Sequence, residues 1–295
     1  MFRLCNVEGR AALQHDGAWY DLARLAGDPT LADPMTAVAR HTELHRWQAR
    51  TADAQPDGSL ANARLGPPVP APQQVFGIGI NYHGHAAETG ATPPPAPLVF
   101  TKFPTCIAGP HDPVPLSGAQ VDWEVELVVV IGQRSRQVPV GDAWSVVAGL
   151  TLGQDISDRA VQFTGTPAQF CLGKSFPGYG PTGPAVVSPD AFADPDDVGL
   201  WCDVNGERVQ EDRTRNLIFG IPVLVAYLSS ICTLLPGDLI FTGTPAGVGM
   251  ARGRFLHPGD VVTSGAEVIG ELRNPCVPGG GPLDVTGPPA APAAG

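Results

Sequence analysis

The sequence predicts an α+β fold in which strands outnumber helices. Short apolar segments such as VFGIGI (75–80) and WEVELVVVIG (123–132) recur between residues 73 and 277, each bounded by Gly, Pro or Asp, as in strands joined by turns. Gly and Pro account for 36 and 32 of the 295 residues, so turns are frequent, and the 43% of hydrophobic residues suffice for a core. Two similar segments, PGDLI (236–240) and PGDVV (258–262), each place a tight turn before a strand.

Three parts are predicted along the chain. Residues 1–72 form a small N-terminal α+β unit that opens with a strand at residues 2–7 and ends in the stiff linker GPPVPAP (66–72). Residues 73–277 form the main, strand-rich domain with a few helices. Residues 278–295 contain five Gly and five Pro and are predicted to be disordered.

Charge and cysteine content argue against several classes of protein. The 18 basic and 29 acidic residues give a net charge of −11, which disfavours nonspecific binding to nucleic acid or to an anionic membrane. The six cysteines form no CxxC pair and the N-terminal segment has no signal-like apolar stretch, so we expect a cytoplasmic protein with reduced thiols. Residues 217–235 carry no charge, but Pro222 and several hydroxyl groups favour a buried helix over a membrane span.

An acidic strand is the first candidate for a functional site. Alternation in a strand places Asp122, Glu124 and Glu126 on one face. An exposed strand edge would tolerate three such charges. However, the strand continues as LVVVIG (127–132), which must be buried, so we expect the carboxylates to face a cleft and to hold a cation. Ligands that are all oxygen suit Mg²⁺, Mn²⁺ or Ca²⁺ and disfavour zinc.

Asp155 is a second candidate ligand, because it ends the apolar strand AGLTLGQD (148–155). It either completes the cation site or caps the next turn. Arg159 and Gln162 follow at helical spacing on one side of a turn. They either orient a substrate carboxylate or leave Arg159 in a surface ion pair with Asp158.

A histidine and a glutamate follow the strand VFGIGI. His85 and Glu88 are spaced i, i+3, so both side chains share one face of a short helix. A carboxylate that orients an imidazole makes a general base, although an exposed ion pair has the same spacing. His83 is an additional imidazole two residues away.

Lysine is rare in this chain. The sequence contains sixteen Arg and only two Lys, Lys102 and Lys174. In an Arg-biased chain, we expect the two lysines to lie where a compact ammonium group is required.

The ordered set of these segments resembles the fumarylacetoacetate hydrolase family. The resemblance covers residues 75–277. The matching segments are GINYHGHAAE (79–88), PLVFTK (97–102), DWEVELVVVIG (122–132), QDISDRAVQ (154–162), GKSF (173–176), VNGERVQ (204–210) and LLPGDLIFTGTPAGVG (234–249). It implies a mixed β-roll or β-sandwich core with peripheral helices, a homodimer and one bound divalent metal.

The resemblance also implies a role for individual residues. It makes Glu124, Glu126 and Asp155 the metal ligands, His85 and Glu88 the dyad that activates water, Lys174 the lysine beside the metal, and Arg159, Gln162 and Thr244 the residues that line the substrate pocket. Asp122 is left outside the metal shell. The chain departs from the family at Gln154, where Asn is common, and at 158–160, where DRA replaces ARD. These departures bear on the identity of the substrate more than on metal binding.

The resemblance implies turnover of a small oxo-acid substrate. We expect hydrolysis of a C–C bond in a 2,4-dioxo acid, such as an acylpyruvate or fumarylpyruvate-like compound, through an enolate stabilised by Mg²⁺. Isomerisation or tautomerisation and decarboxylation on the same metal site are the alternatives. A noncatalytic binding protein is a remote alternative, because burying so many charged groups costs free energy that binding alone does not require.

Overall fold

The computed structural model describes residues 1–282. Its N-terminal part consists of short strands and helices. They are β1 (Arg3–Val7), β2 (Arg10–His15), β3 (Ala18–Asp21), α1 (Leu22–Ala26), α2 (Pro34–Ala39), α3 (His41–Arg50), β4 (Gly58–Ser59) and β5 (Leu65–Gly66).

The remaining elements follow in the main domain. They are β6 (Val75–Gly79), α4 (His83–Thr89), β7 (Leu98–Thr101), β8 (Ile107–Ala108), β9 (Val114–Leu116), β10 (Val121–Asp122), β11 (Val125–Ile131), β12 (Val147–Gln154), β13 (Ser157–Asp158), α5 (Arg159–Gln162), α6 (Phe170–Gly173), β14 (Gly180–Val187), β15 (Gly199–Val204), β16 (Glu207–Arg213), α7 (Ile221–Ile231), β17 (Leu239–Phe241), α8 (Gly249–Arg252), β18 (Val261–Ala266) and β19 (Gly270–Pro278). Short 3₁₀ helices connect some of them, at Pro29–Ala32, Leu60–Asn62, Pro104–Cys106, Val140–Val146, Pro189–Ala191 and Thr214–Asn216.

Within residues 1–282 the strands form two sheets and one isolated pair. The twelve-stranded sheet has the order β4-β3-β2-β1-β14-β12-β11-β17-β6-β7, with β5 paired to β1 and β8 paired to β14. The five-stranded sheet has the order β16-β15-β18-β19-β9, and β10 pairs with β13. Both parallel and antiparallel pairs occur, and the helices lie at the periphery. The predicted β-rich α+β class is therefore confirmed.

Strand β1 joins the N-terminal unit to the main sheet. Leu4 lies opposite Leu13 of β2 on one side and opposite Val186 of β14 on the other, so backbone pairing continues from one part of the chain into the next. The domain boundary at residue 72 stays a prediction. At the other end of the chain, β19 extends to Pro278, and the predicted disordered tail lies outside the described residues from residue 283 onward.

Strand β11 is the centre of the hydrophobic core. All seven of its residues are buried, and it pairs with β12 on one side and β17 on the other. Its side chains alternate between two apolar clusters: Leu127 and Val129 belong to one, and Val128 and Val130 to the other. Burial on both faces explains the continuous apolar run in the sequence.

The uncharged segment 217–235 contains the eleven-residue helix α7. Its buried residues include Leu224, Val225 and Leu228, which belong to the main apolar cluster. In the part of the chain that the structure describes, every helix is too short or too polar to cross a membrane.

The sheet brings four chain segments together at one end of its strands. Strand β11 is antiparallel to β12 and β17, and β17 is parallel to β6. The start of β11 therefore lies beside the ends of β12, β17 and β6. At this end of the strands lie the acidic residues, Asp155, the loop at Gly243 and helix α4.

Candidate active site

Three carboxylates come together where β11 begins and β12 ends. Glu124 directly precedes β11, Glu126 is the second residue of β11, and Asp155 directly follows β12. One oxygen from each lies within 4.8 Å of the others, and all three residues are buried. The structure thus brings together the three predicted metal ligands, from positions up to 31 residues apart, in a group of hard oxygen donors.

Lys174 bridges two of these carboxylates. Its Nζ donates to Glu124 Oε2 at 2.8 Å, to Asp155 Oδ2 at 2.6 Å and to Ser157 Oγ at 2.8 Å. Burial lowers the pKa of the ammonium group, but the charges of Asp155 and Glu124 outweigh burial and raise this pKa above its usual value. Lys174 is therefore positively charged and lies directly beside the carboxylates.

Lys102 holds the other oxygen of Asp155. Its side chain is fully buried, and its Nζ donates to Asp155 Oδ1 at 2.6 Å. The same Nζ also donates to the backbone carbonyls of Lys174 and Tyr179. Lys102 thus forms a buried ion pair that supports the acidic site, in a position where a compact ammonium group is required.

Arg159 connects the carboxylates to helix α5. Its Nη2 donates to Glu124 Oε1 at 2.6 Å and to Asp122 Oδ2 at 2.7 Å, and its Nη1 donates to Gln162 Oε1 at 2.8 Å. The guanidinium is 4% exposed, so it forms a buried cluster and not the surface pair with Asp158. Burial raises the pKa of Glu124, but the charges of Lys174 and Arg159 outweigh burial and hold this pKa at about 2.

Glu126 is the carboxylate without a basic partner among residues 1–282. Its Oε2 accepts a hydrogen bond from the Gly243 N–H at 2.7 Å. Burial and the charges of Asp155 and Glu124 raise the pKa of Glu126 well above its usual value. The cluster contains four carboxylates (Asp122, Glu124, Glu126 and Asp155) and three basic side chains (Lys102, Lys174 and Arg159), which leaves one excess negative charge when all four carboxylates are ionised. The donor set and this charge fit a divalent cation.

His85 and Glu88 lie on α4, beside the carboxylates. His85 Nδ1 is 2.7 Å from Glu88 Oε1, and Glu88 Oε2 accepts a hydrogen bond from the Gly247 N–H at 2.8 Å. In the described part of the chain, His85 Nε2 has no protein hydrogen-bond partner. The structure thus forms the predicted pair and orients one imidazole nitrogen. His83 is exposed and lies outside the cavity wall.

A cavity of about 270 Å³ joins these groups. Its polar lining residues are His85, Glu124, Glu126, Arg159, Gln162, Lys174 and Thr244. Its apolar lining residues include Ile78, Phe100, Phe163, Phe170 and Met250, and Lys174 Nζ lies 4.9 Å from the centre of the Phe100 ring. The three residues predicted to line the substrate pocket, Arg159, Gln162 and Thr244, all line this cavity. A cavity lined by apolar side chains and a few polar groups is typical of a site for a small organic ligand.

Some features of the site have no clear signal in the sequence. Asp122 accepts hydrogen bonds from the N–H groups of Gly249 and Met250 and pairs with Arg159, so it fixes the cavity wall without belonging to the metal group. Gln210 is buried and bonded to the acidic strand from 85 residues away. The apolar residues that line the cavity come from separate segments of the chain, and only the fold brings them together.

Three comparisons relate the chain to known proteins. The family model described as fumarylacetoacetate (FAA) hydrolase C-terminal matches residues 74–277. Human mitochondrial oxaloacetate tautomerase FAHD2A is 40% identical over 258 residues, which cover 85% of this chain and 82% of that protein. A crystal structure from Mycobacterium smegmatis has a TM-score of 0.86 and 42% identity, and the match covers 94% of this chain and 99% of that one.

Maleylpyruvate hydrolase from Sphingobium sp. SYK-6 has been solved with manganese(II) and pyruvate. It matches with a TM-score of 0.79 and 27% identity, over 94% of this chain and 99% of its own. The family model covers more than half of the chain, and the human relative is similar over most of its length. The chain therefore belongs to the fumarylacetoacetate hydrolase family.

Proposed function

We propose that this protein is a divalent-cation-dependent tautomerase that interconverts the keto and enol forms of a small 2-oxo dicarboxylic acid, such as oxaloacetate. The observation that carries the proposal is the position of His85. Its imidazole lies on the wall of the cavity that contains the three carboxylates, and its Nε2 has no partner within residues 1–282. The name and 40% identity of the human oxaloacetate tautomerase support this choice of reaction.

Glu124, Glu126 and Asp155 would hold the cation. When bound, a divalent cation supplies Lewis-acid stabilisation of negative charge on the enolate oxygen. The oxygen-only donor set favours Mg²⁺ or Mn²⁺, with Ca²⁺ as the third candidate. The manganese(II) in the similar maleylpyruvate hydrolase supports this proposal.

The chain's own residues would move the proton. In the keto-to-enol direction His85 takes a proton from the carbon next to the oxo group, the C–H electron pair becomes the C=C bond, and the π pair of the C=O bond moves to the oxygen. The oxygen then takes a proton from water and the protonated His85 returns its proton to water, so no proton is gained or lost. Glu88 holds the imidazole through Nδ1 and is itself fixed by Gly247, so Nε2 keeps a constant direction. Lys174 keeps a positive charge beside the developing anion. The phenyl rings of Phe100 and Phe170 line the same cavity and would limit the access of water.

Hydrolysis of a C–C bond in a 2,4-dioxo acid is the second candidate. The same oriented imidazole serves as a base for water, and the similarity to maleylpyruvate hydrolase supports this reaction. Tautomerisation requires only the proton transfer, whereas hydrolysis also requires a place for the attacking water.

The predicted homodimer and the cytoplasmic location stay predictions.

An assay of the enol form and of the product mass tests the proposal. Enol-oxaloacetate is added to purified protein with Mg²⁺, and loss of the enol ultraviolet absorbance is followed against a control with Mg²⁺ alone. Faster loss without a change in mass supports the tautomerase. Acylpyruvates are tested in parallel: two acids with the mass of one added water indicate the hydrolase, and loss of carbon dioxide indicates a decarboxylase. Full activity after thorough chelation would contradict the cation requirement.

A further inference from the structure

The acidic strand is interrupted where it carries its ligands. Pairing of β10 with β13 ends at Asp122, and pairing of β11 with β12 begins at Val125. Glu124 lies in this gap: its carbonyl accepts a hydrogen bond from the Asp155 N–H at 2.8 Å, but its own N–H has no backbone acceptor in the described residues. Successive N–H groups along a strand point in opposite directions, and both Glu124 and Val125 are buried. Each of these N–H groups therefore needs an acceptor from elsewhere.

Two buried glutamine side chains supply these acceptors. The N–H of Glu124 donates to Gln154 Oε1 at 2.9 Å, and the N–H of Val125 donates to Gln210 Oε1 at 3.0 Å. Gln154 and Gln210 are 0% and 1% exposed, so water does not compete for these bonds. The two glutamines thus hold consecutive peptide groups from opposite sides.

The other end of each amide is also fixed. Gln154 Nε2 donates to Ser264 Oγ at 2.8 Å and to Cys202 Sγ at 3.4 Å, on two strands of the five-stranded sheet. Because the oxygen faces the Glu124 N–H, which can only donate, a reversed amide would place two donors against each other at that end. Gln154 therefore ties the peptide group of Glu124 to the second sheet.

Gln210 completes a closed ring of three hydrogen bonds around Val125. Its Nε2 donates to Thr244 Oγ1 at 2.8 Å, and the Thr244 hydroxyl donates to the Val125 carbonyl at 2.9 Å. The ring satisfies both backbone groups of the residue that separates Glu124 from Glu126. It also uses the single hydroxyl proton of Thr244.

We propose that Gln154 and Gln210 are positioning residues that set the direction of Glu124 and Glu126 and thereby the affinity for the divalent cation. Neither glutamine belongs to the three carboxylates or lines the cavity, and each bonds a backbone N–H of the strand, so they act through its backbone. The inference rests on the cation site of the proposed function, but not on which reaction is catalysed. Loss of groups that orient metal ligands commonly weakens metal binding.

Mn²⁺ binding to the full chain without substrate tests the inference. The electron paramagnetic resonance signal of free Mn²⁺ gives Kd for wild type, Gln154→Met and Gln210→Met, since Met fills a similar volume without hydrogen bonds. We expect Kd to rise about 10–100-fold in each variant. Gln14→Met is the matched control, because Gln14 is a buried glutamine of the N-terminal unit. It should lower the melting temperature and leave Kd within about twofold.

Three results would decide against the inference in different ways. If wild type binds no Mn²⁺, the cation site of the proposed function fails, and this inference fails with it. If wild type binds Mn²⁺ and both Met variants bind it equally well, only the positioning role is overturned. If the Met variants do not fold, Gln154→Ser and Gln210→Asn replace them: their side chains are too short to reach the N–H groups of Glu124 and Val125, and an unchanged Kd in both would again overturn the role.

Discussion

Lys174 donates a hydrogen bond of 2.6 Å to Asp155 Oδ2 and Lys102 donates one to Asp155 Oδ1, so both lysines of the chain are bonded directly to a carboxylate of the proposed cation site. The Lys174 Nζ is buried and bonded to three oxygens. A guanidinium is planar and larger, and it cannot reach the same three acceptors from this position. We therefore expect Lys174→Arg to lower kcat at least about 100-fold, as for loss of a group that stabilises transition-state charge.

The measurement is kcat with saturating substrate and Mg²⁺, together with circular dichroism to show that the fold is retained. Arg254→Lys, an exchange at a partly exposed ion pair, is the control and should keep normal turnover. Near-normal turnover of Lys174→Arg would show that the scarcity of lysine has no functional meaning at this site.

The two histidines of α4 give a second prediction. His85 lines the cavity and is held by Glu88, whereas His83 is exposed and lies outside the cavity wall. We expect His85→Ala to lower kcat about 10²–10⁴-fold, the usual range for loss of a general acid or base. His83→Ala is the matched control and should retain activity within about threefold. The reverse pattern would assign the base to His83.

The sequence was informative where the chemistry is local. Alternation along one strand brought Glu124 and Glu126 together, and the i, i+3 spacing paired His85 with Glu88. The pairing of Lys102 with Asp155 spans 53 residues, and that of Gln210 with Val125 spans 85. Such contacts depend on sheet order, which strand patterns alone do not specify. For the same reason the sequence did not show that β1 continues the main sheet.

Lys102 gives a third prediction, on stability. Its Nζ is fully buried and bonds Asp155 and the carbonyls of Lys174 and Tyr179. Replacement by Met leaves a buried carboxylate oxygen without this partner, so we expect Lys102→Met to lower the free energy of unfolding by about 3–5 kcal/mol. Urea denaturation without added cation measures the change. Arg208→Met, which breaks a surface pair, should cost no more than about 1 kcal/mol. An equal effect in both variants would contradict a structural role for the buried pair.

Glu126 allows the cation to be tested through stability alone. In the cation-free protein this carboxylate lies near Glu124 and Asp155 without a basic partner in the described residues, and the three negative charges repel one another. Burial and this repulsion raise the pKa of Glu126, so at neutral pH the carboxyl group costs stability on folding; Glu126→Gln removes this cost and keeps an acceptor for the Gly243 N–H. We therefore expect the variant to unfold at a higher temperature than wild type when both are free of cation.

Added cation should reverse this order. A cation at about 100 times its Kd stabilises a protein that binds it by about 2.7 kcal/mol, so the melting temperature of wild type should rise after Mn²⁺ is added and fall again after chelation. Glu126→Gln loses one of three ligands and should respond far less. Scanning calorimetry of both proteins, with and without Mn²⁺, gives all four values, and Glu207→Gln is the control for loss of an exposed carboxylate. If Mn²⁺ stabilises wild type and Glu126→Gln equally, the ion binds elsewhere on the protein, because removal of one of the three proposed ligands would then have had no effect on its affinity.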